Sequence, residues 1–171
     1  MRLDDIEFTP LRAEHTFGGF SCGNIDIDRF LKSDQAYAEQ FRGLSSTTLI
    51  LHRGIVIGFY TARCTQIEIQ MDERTGLDMD YDKYVPAVEI TFLAVDTNYQ
   101  REGLGTLILS NIIGECIELT KWVAVKYLFL WSVPESIDFY ERNHFVETDI
   151  GETRNQIAMR LSIPYFQTLE N

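Results

Sequence analysis

The stretch Gln100-Arg101-Glu102-Gly103-Leu104-Gly105-Thr106 (QREGLGT) lies between two apolar segments, VEITFLAVD at Val88–Asp96 and LILSNIIGECIEL at Leu107–Leu119. The first reads as a strand and the second as a helix. Glycine costs a helix about 1 kcal/mol relative to alanine, so two glycines at its mouth need a reason. A helix amino terminus has four backbone N–H groups without intrahelical partners and carries about half a positive charge. Glycines there remove the side chains that would keep an anion, such as a phosphate, from those groups. Gln100 and Arg101 offer further donors. The plainer alternative is a strand-to-helix turn. The stretch lacks both the P-loop pattern and the third glycine of a dinucleotide fingerprint.

The surrounding chain predicts a mixed α/β or α+β protein. Ile6–Arg12 is expected as a first strand and Asn24–Phe41 as one helix, with Ile27, Phe30, Leu31, Asp34 and Ala38 near one face. Thr47–His52 and Ile55–Cys64 read as strands joined by a tight turn at Arg53-Gly54. Thr65–Pro86 is acidic; its start alternates like a strand extension, and Asp72–Tyr84 reads as a loop or short helix. A strand at Ala87–Val95, a helix from Gly105 to Leu119 and a strand at Val125–Trp131 follow. A short helix is expected at Pro134–Arg142, with Ser132 and Glu135 spaced as a capping box and proline in the first turn. Phe145–Glu147 and Gln156–Leu161 close the sheet.

All 171 residues read as one domain. The formal net charge is −11, with no Lys/Arg-rich block, which argues against a broad nucleic-acid surface. It suits a neutral or cationic small partner instead. Glu68, Asp72, Glu73, Asp78, Asp80 and Asp82 either draw a cationic amine or form a solvated face. The amino terminus lacks the apolar run of a signal peptide, and no segment is long and apolar enough to span a membrane. Cys22, Cys64 and Cys116 are odd in number and widely spaced, as expected of reduced thiols in a cytoplasmic protein. With His15, His52 and His144 they show no metal-ligand spacing.

Two motifs carry a resemblance. Gln100, Gly103 and Gly105 match the acetyl-CoA signature [QR]-x-x-G-x-[GA] of the GNAT (Gcn5-related) N-acetyltransferases, behind a strand ending LAVD. Phe139-Tyr140-Glu141-Arg142-Asn143-His144-Phe145 resembles the family's tyrosine helix, FYE-x-x-x-F. The similarity spans roughly Phe20–Leu161. It implies an acyl-CoA N-acyltransferase fold, a central mixed and mostly antiparallel sheet flanked by helices. FSCGNIDIDRFL (Phe20–Leu31) and IGFYTA (Ile57–Ala62) look like a branch that includes the TacT/AtaT-type toxins, which acetylate aminoacyl-tRNA. The chain departs from the wider family at Val133, where many members have asparagine, and at His144, where most have glycine.

The resemblance implies acetyl-CoA as co-substrate, with no metal, and direct attack by an amine within a ternary complex. Residues 100–106 (Gln100, Arg101, Glu102, Gly103, Leu104, Gly105 and Thr106) are expected to take the diphosphate. Backbone amides of Leu93, Ala94 and Val95 are expected to pair with the pantetheine arm. Tyr140 is the expected proton donor to the leaving thiolate; otherwise it packs on the sheet. Glu89 falls where the histone-acetyltransferase branch carries its general base and is expected to face a wet cleft; otherwise it is a solvent-facing or ion-paired glutamate. A lysine-like amine, pKa about 10.4, costs roughly 4–5 kcal/mol to deprotonate at pH 7, so a base has work to do. The acceptor is a small-molecule or peptide amine in the first reading and aminoacyl-tRNA in the second. A CoA-binding sensor without turnover is the third. A homodimer is compatible with all three.

Overall fold

The computed structural model describes residues 5–69, 84–153 and 155–164. Its helices are Ile25–Lys32 (α1), Gln35–Phe41 (α2), Leu104–Leu119 (α3) and Ile137–Arg142 (α4). The strands are Ile6–Pro10 (β1), Ser46–His52 (β2), Ile55–Glu68 (β3), Tyr84–Val95 (β4), Tyr127–Ser132 (β5), Val146–Thr153 (β6) and Gln156–Ser162 (β7). They form one sheet in the order β1-β2-β3-β4-β5-β7-β6. The pairs β1/β2, β2/β3, β5/β7 and β6/β7 are antiparallel. Neighbouring strands β4 and β5 are joined through α3, the kind of crossover that parallel strands require, and the sheet is mixed.

Local chemistry accounts for most boundaries. Arg53 and Gly54 both have positive φ, 53° and 77°, as the two-residue turn matching strand twist demands. Asn24 caps α1, its side chain accepting from the Asp26 and Ile27 amides. The single helix expected over Asn24–Phe41 is in fact two. Ser33 is extended (ψ 172°), and its hydroxyl accepts from the Gln35 amide at the start of α2, offering the backbone an alternative to helix.

Other boundaries differ from expectation too, among them β1, which ends at Pro10 rather than Arg12, and β6, which spans Val146–Thr153 rather than Phe145–Glu147. Strand β4 begins at Tyr84 rather than Ala87, and the Pro86 carbonyl accepts from the Lys126 amide. β5 starts at Tyr127 rather than Val125 and runs to Ser132. The capping box at Ser132 does not form: that serine is buried at the end of β5 and its hydroxyl donates to the Val133 carbonyl. A 3₁₀ turn with proline at its first position, Pro134–Ser136, leads into α4. The Asp72–Tyr84 loop lies outside the described residues except for Tyr84, which opens β4.

The contacts gather into two compact units, Met1–Arg63 with Ile90–Ile108 and Cys64–Glu89 with Leu109–Asn171; β3, β4 and α3 contribute to both. In the first unit Phe20, Phe30, Leu31, Leu49 and Phe59 are buried together. Phe30 lies 4.4 Å from Phe92 and Phe20 5.7 Å from Phe59, ring centre to ring centre. Burying each such side chain contributes about 1.5–3 kcal/mol. Gly58 in β3 is what allows this packing: a Cβ there would sit 3.0 Å from the Ala94 carbonyl oxygen and 3.3 Å from Ile108. The second unit packs Ile67, Ile69, Val85, Ala87, Tyr127, Phe129 and Ala158. Among the described residues no helix is long and apolar enough to cross a membrane.

Candidate active site

Strand β4 ends at Val95, a 3₁₀ turn occupies Thr97–Tyr99, and residues 100–103 lead into α3. Arg101 (φ 64°) and Gly103 (φ 84°) both take left-handed backbone. That conformation is cheap for glycine and costs other residues about 1–2 kcal/mol. The Gly103 carbonyl accepts from the Leu107 amide, so the helix proper starts at residue 104 and its first amides have no partner within it. Space around Gly103 is open for at least 4 Å where a Cβ would stand. Arg101, Glu102, Gly103 and Thr106 are exposed, Gly105 is half-buried, and Leu104 is buried to anchor the turn. A glycine-opened, solvent-facing helix start of this kind fits a diphosphate.

Gln100 differs from expectation. Its amide nitrogen donates to the Val95 carbonyl at 2.9 Å and to the Cys22 carbonyl at 3.0 Å. Both N–H groups are therefore spent on holding the loop rather than offered to a ligand. Leu93 and Val95 are half-buried and Ala94 is buried.

Residues that the linear pattern does not announce bond around this loop. Asp96 is buried. One carboxylate oxygen accepts from the Ser21 amide at 2.9 Å, and the other from the Asn98 backbone and side-chain nitrogens, each at 2.9 Å. The Thr97 amide returns a bond to the Ser21 carbonyl. Asp28, in α1, accepts from the Ser21 hydroxyl at 2.7 Å and the Cys22 amide at 2.8 Å. Burial works to raise the Asp28 pKa, but these bonds outweigh it and hold the carboxyl below its ordinary range. The Cys22 thiol is pushed up to about 11, chiefly by burial, which removes it as a nucleophile at neutral pH. The only local signal for Asp96 is its D-x-N spacing with Asn98, since its partner Ser21 lies 75 residues away.

The two expected acid–base residues belong to the second unit. Tyr140 lies on α4, its ring edge-on to Phe139 at 5.0 Å and to Phe145 at 5.5 Å. Burial pushes its phenol up to about 12, so it stays protonated at any physiological pH. His144 occupies the left-handed position after α4 (φ 68°), where glycine is the usual residue. Glu89 is 7% exposed within β4, a buried carboxylate rather than a solvent-facing one. Among the described residues no group of three or more His, Cys, Asp or Glu is placed to hold a metal.

Elsewhere in the first unit, an open cleft of about 580 Å³ is lined by Arg12, His15, Lys32, Asp34 and Tyr37 beside apolar side chains. His15 Nδ1 accepts from the Arg12 amide at 2.9 Å, which leaves Nε2 as a donor. The lining thus carries two cations, Arg12 and Lys32, beside the carboxylate of Asp34, and Arg12 also lies 4.0 Å from Glu14.

A family model described as the acetyltransferase (GNAT) family matches residues 26–145. A tRNA-acetylating toxin from Mycobacterium tuberculosis (strain ATCC 25618 / H37Rv) is 26% identical over 122 residues, 71% of this chain and 72% of the toxin. Two solved structures share the fold. AtaT complexed with acetyl-methionyl-tRNAfMet superposes with a TM-score of 0.79 at 19% identity, covering 90% of this chain and 94% of that one. AtaTR bound with AcCoA gives 0.77 at 18% identity, covering 94% and 95%.

Proposed function

This chain belongs to the GNAT acetyltransferase family, and we propose that the amine it acetylates is the α-amino group of an aminoacyl-tRNA. It is an acetyl-CoA-dependent N-acetyltransferase. The acceptor rests on one observation, the similarity over 71% of the chain to a tRNA-acetylating toxin. Acetyl-CoA supplies an acetyl group activated as a thioester. The amides from Gly103 to Thr106 grip its diphosphate, with Arg101 as a flexible cation beside them. Leu93, Ala94 and Val95 offer backbone groups to the pantetheine arm, as a peptide adds to a strand. Tyr140 holds the proton that the departing thiolate takes up. Glu89 receives the proton shed by the amine, directly or through water.

The acceptor sets how much Glu89 must do. An α-amine titrates near pH 7.7–8.0, so freeing its lone pair at pH 7 costs only about 1 kcal/mol, against roughly 4–5 for a lysine-like amine. Arg12 and Lys32 of the open cleft are the candidate contacts for RNA phosphates in that reading. The net charge of −11 favours the competing reading, a cationic small-molecule or peptide amine. Thiol release from acetyl-CoA, followed with charged tRNAs, polyamines, free amino acids and basic peptides, decides between them. Turnover confined to charged tRNA supports the proposal; turnover confined to polyamines or peptides refutes it.

A further inference from the structure

Asp96 stands four residues before Gln100, beside a loop read here as an anion site, where a carboxylate should repel a diphosphate. It is buried as well, and a buried carboxylate is costly unless its oxygens are satisfied. Its bonds supply the reason. Every group facing the two oxygens is an N–H: Ser21 on one, both Asn98 nitrogens on the other. Only the ionised carboxylate accepts from all three, since an amide or a protonated acid turns a donor toward a donor.

Those bonds, with Thr97 N–H to the Ser21 carbonyl and the Gln100 amide to Cys22 and Val95, tie the end of β4 and the loop to residues 21–22. Residues 21–22 are held in turn by Asp28 of α1. The loop needs such a frame because Arg101 sits in a left-handed conformation, and strain of that kind persists only where the surroundings enforce it. We propose that Asp96 and Gln100 are positioning residues: through the Ser21–Cys22 segment they aim the amides of residues 100–106. The inference rests on the reading of that loop as the diphosphate grip.

The sign of one substitution tests it. Asp96→Asn and Asp26→Asn each remove one negative charge, and Asp26 is an exposed residue whose carboxylate pairs, among the described residues, with Arg29. Charge alone makes both variants bind CoA slightly tighter. Positioning predicts that Asp96→Asn weakens CoA by about tenfold or more, while Asp26→Asn does not. The KM for acetyl-CoA rises with kcat at saturation largely retained, and amide hydrogen exchange across residues 100–106 quickens in the ligand-free protein. Gln100→Met, at an exposed side chain, moves the same readouts in the same direction should Asp96→Asn fold poorly. Unchanged or tighter CoA binding with unchanged exchange in folded Asp96→Asn or Gln100→Met overturns the proposal. Faster loop exchange in the variants, with no CoA binding by the wild type, supports the clamp and removes the diphosphate reading instead.

Discussion

At the residue scale, Tyr140 and Glu89 have different environments and make different demands on experiment. With its phenol pushed up to about 12, Tyr140 remains an acid throughout the working range. Tyr140→Phe is expected to lower kcat by about 10²-fold or more with CoA affinity nearly intact, checked by steady-state rates beside calorimetry. The raised pKa has a second consequence. Its contribution to stability is complete below the unfolded value near pH 10 and is lost as pH rises through about 12. The wild type should therefore lose more of its melting temperature than Tyr140→Phe between pH 10 and 12. Glu89→Gln should shift the acidic limb of the pH–rate profile; superimposable profiles would remove Glu89 from the mechanism. The motif that singles out Tyr140 is readable because its F-Y-E context is local. The bonds of Asp96 are not, because one amide that it accepts from belongs to Ser21, far away in the chain.

At the scale of elements, strongly periodic segments read correctly and their ends less so. The apolar stripe of α3, with Leu104, Ile108, Leu109, Ile112 and Cys116 all buried, is plain at 3–4 residue steps. The break between α1 and α2 is hidden, since the apolar face continues across it while a single hydroxyl, that of Ser33, captures the Gln35 amide. Ser132 misled in the opposite way: a cap spacing exists, but burial at the end of β5 overrides it. The departure at His144 now has a physical account. The position requires positive φ, so glycine is its natural occupant and histidine bears the strain. His144→Gly should stabilise the protein by about 0.5–1 kcal/mol, the left-handed penalty less the extra chain entropy, as read by chemical denaturation. Gly58→Val should destabilise it by about 1–3 kcal/mol, because the new side chain meets the Ala94 carbonyl and Ile108.

For the whole molecule, the order of strands and helices followed from alternating patterns and turn chemistry, and the mixed sheet emerged as expected. The acceptor is not legible there, because a net charge of −11 describes the surface in sum and says nothing of a local cluster such as Arg12 and Lys32. If that cluster engages RNA phosphates, Arg12→Glu with Lys32→Glu should raise KM for charged tRNA severalfold and leave KM for acetyl-CoA unchanged. Equal KM for tRNA in variant and wild type would dismiss the cleft as an RNA surface. Cofactor binding is expected to depend on the glycine-opened helix start, and calorimetric titration of CoA into the wild type and Gly103→Val tests this most directly. The wild type is expected to bind with a saturable heat and the variant at least about tenfold more weakly, since valine both fills the open space and resists φ 84°. Equal affinity in the two proteins would contradict the claim that these amides hold the diphosphate.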